Sequence, residues 1–160
     1  MRLLKNNKMK QLIATSLLLL VGNFSFGQMI MTTEGVTAKN VCQPNTVYFL
    51  TGMKKEKRAK PVESIEAIQQ KLNSEVSFAR DNPDFSGKAS IQFAVNCKGE
   101  VGGGFHVVIK SGEEKFDEAL INFFKSITDW NPGMRKKNKP VDSWYMWRVE
   151  IKDRYISILN

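Results

Sequence analysis

The chain has 160 residues, about the size of one domain, with Lys and Arg at 24 positions, Asp and Glu at 16, and a formal net charge of +8. It has one histidine and two cysteines. That is too few for a metal centre of the usual kind, in which several N, S or O donors converge on one ion.

The first residues read as an export signal. Arg2, Lys5, Lys8 and Lys10 precede an apolar run over residues 12–21, and no acid stands before Glu34. Ser25-Phe26-Gly27 then offers small residues at the two positions a signal peptidase reads, so cleavage is expected after Gly27. An uncleaved anchor needs roughly 20 apolar residues to cross the hydrocarbon, and this run is shorter and meets Asn23. The predicted organisation is a signal peptide at 1–27, an N-terminal extension at 28–61 and a single domain at 62–160, delivered to the periplasm or beyond the cell. Loss of the leader removes four cations and no anions, leaving 20 against 16 and a formal charge of +4.

In an oxidising compartment Cys42 and Cys97 are a candidate disulfide. The loop it would close is worth about 4 kcal/mol in the chain-entropy treatment; the alternative is two thiols, with Cys97 packed in a core. Within the extension, Val47-Tyr48-Phe49-Leu50 reads as a short strand between Pro44-Asn45 and Gly52. Two basic runs, 54–60 and 135–139, could touch an anionic membrane surface or a polyanion and more commonly are solvated loops. Neither interleaves the stacking aromatics a nucleic-acid binder uses, so no nucleic acid is expected as a partner.

From Pro61 the period changes. Ile65, Ile68, Leu72, Val76 and Ala79 recur at helical spacing and predict one helix, ended by Asp81-Asn82-Pro83-Asp84. Strict alternation follows: Ala89, Ile91, Phe93, Val95 and Cys97 on one side, Ser90, Gln92, Ala94 and Asn96 on the other, a half-buried strand. Lys98-Gly99-Glu100 is a tight connection to a second strand over 101–110. Gly102-Gly103-Gly104 lies inside that strand, with no Lys-Ser/Thr or helix start behind it, and predicts a bulge or a close backbone approach rather than a phosphate cradle. Ser111-Gly112-Glu113-Glu114 has capping-box spacing, and Phe116, Ala119, Leu120, Phe123, Ile127 and Trp130 line one face of a second helix. Pro140-Val141 opens a last strand in which Tyr145, Trp147, Val149 and Ile151 alternate with Trp144, Met146, Arg148, Glu150 and Lys152. The expected fold is α+β: a three-stranded antiparallel sheet in the order 2-1-3, packed on two helices, with the last strand at an edge.

Catalytic constellations are not legible. A nucleophile–base pair would have to use His106, which alternation places on the face away from the core. Glu113 and Glu114 suit a helix N-terminus better than general acid–base work. No enzymatic activity, no cofactor, no metal and no small-molecule substrate are expected. Instead the last strand carries Trp144, Tyr145, Met146, Trp147 and Arg148 in succession. Trp and Arg are enriched where proteins bind proteins, and an open edge offers backbone groups to an extended peptide. The alternative is that the 47–50 segment fills this edge or covers its outer face.

The passages from Ile91 through Val101 and from Val107 through Gly112 resemble the central hairpin of the TonB C-terminal domain family. Phe116-Asp117-Glu118-Ala119-Leu120 resembles that family's helix opening. Trp130-Asn131-Pro132-Gly133 with Asn138-Lys139-Pro140-Val141 is similar to its tryptophan–proline and glycine-lysine-proline-valine passage, Asn138 standing where Gly is usual. The family's tyrosine-proline entry to the hairpin has no match here, and its membrane helix and proline-rich spacer are absent from a chain with five prolines. The resemblance therefore implies a stand-alone module pairing by strand addition with an envelope protein, such as the plug-side segment of an outer-membrane transporter, through Trp144–Arg148. The second function class is a structural or inhibitory envelope protein whose edge is blocked by its own N-terminal segment. Homodimerisation by strand exchange stays open in both.

Overall fold

The computed structural model describes residues 38–43, 46–52 and 55–159. The expected leader lies outside the described residues, as does Lys54. Among the described residues no helix is long and apolar enough to cross a membrane.

The architecture is mixed α+β. In chain order it comprises β1 (Tyr48–Phe49), β2 (Lys60–Pro61), α1 (Ile65–Glu75), α2 (Phe78–Asp81), β3 (Gly87–Val95), β4 (Val101–Ile109), α3 (Glu114–Lys125), β5 (Trp130–Asn131), β6 (Gly133–Arg135), a 3-10 turn (Lys136–Asn138), β7 (Lys139–Val141), β8 (Ser143–Lys152) and β9 (Tyr155–Leu159). The main sheet has five strands rather than three, in the order β1-β8-β3-β4, with β9 also on β8. β3 and β8 pair antiparallel over their length, from Gly87 opposite Ile151 to Val95 opposite Ser143.

The apolar stripe expected as one helix is broken in two. Ser64, not Pro61, caps α1, its hydroxyl accepting the Ala67 N–H at 3.1 Å, while Pro61 pairs with Trp130 in β2–β5. Val76 leaves the helical region at φ −89°, ψ 96°, and the chain restarts as α2. The stripe still works, because Ile68, Leu72, Val76 and Ala79 are all buried against the sheet. The second helix is shorter than its stripe. It starts after Glu113 without a side-chain cap, since the Ser111 hydroxyl bonds Glu113 backbone instead, so the capping box does not form. Trp130 reaches the core from β5, not from the helix.

The core lies between α1–α3 and the face of the sheet carrying Ile91, Phe93, Val95, Trp147, Val149, Ile151 and Ile156. Aromatic rings fill its centre: Phe124 stacks on Trp147 at 5.0 Å, and Trp130 meets Tyr145 edge-on at 4.6 Å. Such pairs add about 0.5–1.5 kcal/mol each beyond the area they bury.

The opposite face was expected to be solvated and is not. Ser90, Gln92, Ala94 and Asn96 are all nearly inaccessible, in part because residues 38–40 cross that face. Asn96 Nδ2 donates to Asn40 O at 2.9 Å, and a Cβ on Gly102 would sit 3.1 Å from Lys39 O. The glycine triplet therefore serves a close backbone approach. It is also a bulge: Gly103 and Gly104 take φ of +80° and +69° where the β3–β4 register shifts between Gln92 and Ala94.

Candidate functional site

Each residue of the expected contact strand can now be placed. Tyr145 and Trp147 point into the aromatic core; Trp144 and Met146 are half-buried on the opposite face and Arg148 is exposed there. Trp144 is covered on one side by Phe49, stacked at 6.3 Å, and on another by His106, edge-on at 6.2 Å.

The strand itself is not an edge. β3 occupies one flank, and two segments share the other. At its N-terminal end Tyr48 and Phe49 run parallel to Ser143 and Trp144, with Tyr48 N–H donating to Asp142 O at 2.9 Å. At its C-terminal end β9 pairs from Arg148–Leu159 to Lys152–Tyr155. Among the described residues, 145–147 are the part of β8 without a strand partner on that flank. The last strand, expected at an edge of the sheet, is thus flanked on both sides; the sequence leaves open whether that edge is free or filled by the 47–50 segment. The reason is local: Asp153 and Arg154 both adopt positive φ, 51° and 65°, closing the two-residue turn that folds 155–159 back onto β8.

A disulfide and a buried acid hold the N-terminal segment in position. Cys42 and Cys97 are bonded, with Cα atoms 6.0 Å apart. Cys97 follows β3 and is half-buried, outside the core in which alternation had placed it. Asp142, 2 % exposed, accepts N–H groups from Cys42 at 3.0 Å, Gln43 at 2.7 Å and Cys97 at 2.9 Å. Bonds to a charged acceptor are worth about 1.5–3 kcal/mol each, so this carboxylate fastens both ends of the cross-link to the start of β8. No local pattern in the sequence singles out Asp142, which stands between Val141 and Ser143.

No protein-family model matches the chain, and no curated protein or solved structure matches it significantly.

The chemistry therefore has to be read from the side chains themselves. Cys42, Cys97 and Asp142 bring donor atoms within 4.8 Å of one another, but with the sulfurs bonded to each other neither is a thiolate, and the carboxylate is committed to backbone N–H groups. His106 Nδ1 lies 2.9 Å from Gly104 O, and its Nε2 is buried with no hydrogen-bond partner among the described residues. Among the described residues neither ring nitrogen is hydrogen-bonded to a hydroxyl or a carboxylate. Tyr145 has a perturbed phenol: burial pushes its pKa up to about 12, against a smaller opposing pull from the positive Arg58.

The remaining flanks of the sheet differ. β9 turns its outer side to α1, where Gln69 and Asn73 act as a surrogate strand. Gln69 Oε1 accepts Ile158 N–H at 2.6 Å, Asn73 Oδ1 accepts Ile156 N–H at 2.9 Å, and both amide groups donate to Ile156 O. The outer flank of β4 has no strand beside it among the described residues; the Gly103–Gly104 bulge disrupts one half of it.

Proposed function

We propose that the chain is an exported, TonB C-terminal-like protein-interaction module of the cell envelope, whose pairing flank is held by its own strand β1 until a partner competes for it. The observation that carries this reading is the parallel pairing of Tyr48–Phe49 with Ser143–Trp144, at the end of the strand that the family resemblance makes the contact. A two-residue strand belongs to the low-stability end of a fold and is the easiest part of the sheet to displace. The ligand class implied is an extended segment of an envelope protein, such as a transporter's plug-side segment. Direct addition to an open Trp144–Arg148 edge has no room, because β1 and β9 leave three residues between them.

Hydrogen exchange on the disulfide-intact protein tests this. Residues 47–50 should be protected, and Tyr48→Pro, which removes the N–H donated to Asp142 O, should abolish that protection. The same variant should retain more of a specific protein from envelope extract than wild type does. Exchange of 47–50 at the rate of a free peptide, or equal capture by both proteins, defeats the reading.

A further inference from the structure

The two basic runs, far apart in the chain, form one surface. Lys57 N–H donates to Met134 O at 2.8 Å and Met134 N–H returns the bond to Lys57 O at 2.8 Å. This pairing lays Lys55, Lys57, Arg58 and Lys60 beside the β6–β7 hairpin, which contributes Arg135, Lys136, Lys137 and Lys139. Within residues 55–60 and 135–139 the one acid is Glu56, 3.8 Å from Arg135 Nε. Among the described residues none of Lys55, Lys57, Lys60, Lys136, Lys137 and Lys139 has an acid within ion-pair distance.

The hairpin concentrates this charge at a cost. Arg135 and Lys139 stand directly opposite each other in the register, an arrangement in which like charges destabilise a strand pair. Its turn places Lys137 and Asn138 at φ of 63° and 54°, where side chains other than glycine are disfavoured. Beside the opposed pair is a cavity of about 250 Å³ walled by Gln43, Tyr48, Arg135, Lys136, Lys139 and Val141. The Arg135 guanidinium lies over the Tyr48 ring at 4.6 Å, which fixes it at the cavity wall.

The geometry points to a docking platform for an anionic bilayer, with one lipid phosphate seated between Arg135 and Lys139 and neighbouring headgroups met by the splayed lysines. An anion in that seat relieves the repulsion of the opposed pair. The surrounding lysines are exposed and come from two stretches of chain, and that number of unpaired cations suits an array of phosphates better than a single small anion. The Arg135 guanidinium occupies one face of Tyr48, the ring that lines this cavity, so that face is not open to a stacking base. A cation near an anionic leaflet gains about fivefold in partitioning.

The test uses the chain expressed with its own leader, purified with its disulfide formed, and sedimented with vesicles. Phosphatidylglycerol-containing vesicles should carry the protein down and pure phosphatidylcholine vesicles should not, and the binding should fade as salt shortens the screening length. Lys136→Gln/Lys137→Gln/Lys139→Gln should weaken binding on the order of a hundredfold, and the charge-reversing triple Glu variant should weaken it further. Charge-matched Lys110→Glu/Lys115→Glu/Lys152→Glu should leave most of it. Equal pelleting with both lipids, or equal losses from the two Glu triples, overturns the platform. Release by millimolar inorganic phosphate overturns the bilayer as occupant, because it would make the cavity a seat for a single phosphate.

Discussion

At the scale of single residues, Tyr145 shows how burial becomes a pH dependence. Its ring is wedged between Phe93, Trp130 and Trp147, and its phenol is raised from 10.0 to about 12. In the unfolded chain the phenol ionises near 10, so between pH 10 and 12 the unfolded state binds fewer protons than the folded one. Stability must then fall as pH rises through that window, by at most about 1.4 kcal/mol per pH unit, and this group adds no dependence below it. Denaturant midpoints measured from pH 9 to 12 should fall more steeply for wild type than for Tyr145→Phe. Parallel curves would mean that the phenol is not desolvated. That Tyr145 points inward was legible from its alternation with Trp147 and Val149. The role of Asp142 was not, because its three N–H donors come from residues distant in sequence and no local pattern encodes such a convergence.

At the scale of elements, regular period was a good guide to faces and a poor one to ends and neighbours. Alternation in 89–95 and helical spacing in 65–79 identified the side chains that face the helix–sheet core, since each reflects a repeat of the element itself, but not that the other face of 89–95 is buried as well. The break at Val76, the missing capping box and the extra strands are decided by tertiary partners. β9 is the clearest case: five residues at the end of the chain become a strand because Asp153 and Arg154 adopt positive φ and because α1 supplies amides to the outer flank. Those amides are an edge-protection device, since an unpaired flank is a template for other chains. Gln69→Ala/Asn73→Ala should therefore act twice. Loss of the bonds to Ile156 and Ile158 should lower stability by about 2–4 kcal/mol, and the uncovered flank should promote concentration-dependent association, read by light scattering coupled to size exclusion. A variant that is destabilised yet strictly monomeric at every concentration would limit the amides to a packing role.

At the scale of the whole molecule, the segment before α1 is stitched into the fold at successive points. These are the Cys42–Cys97 bond, the Asp142 carboxylate, β1 on β8, the Lys57–Met134 pairs and β2 on β5. The disulfide spans 55 residues, so its loss has a global and a local consequence that separate cleanly. Globally, Cys42→Ser/Cys97→Ser releases the closed loop of the unfolded chain and should cost about 4 kcal/mol. Locally, the three N–H donors to Asp142 no longer share a tether, and β1 loses the anchor that brings it to β8. Hydrogen exchange should then show deprotection of 47–50 well before β3 and the rest of β8 open, because those strands keep their full antiparallel ladder. If 47–50 instead opened only with β3, the N-terminal segment would be a cooperative part of the core rather than a removable occupant. Strand exchange with a partner would then require unfolding the domain. The same comparison thus decides whether the pairing of β1 with β8 is a gate or simply a fifth strand.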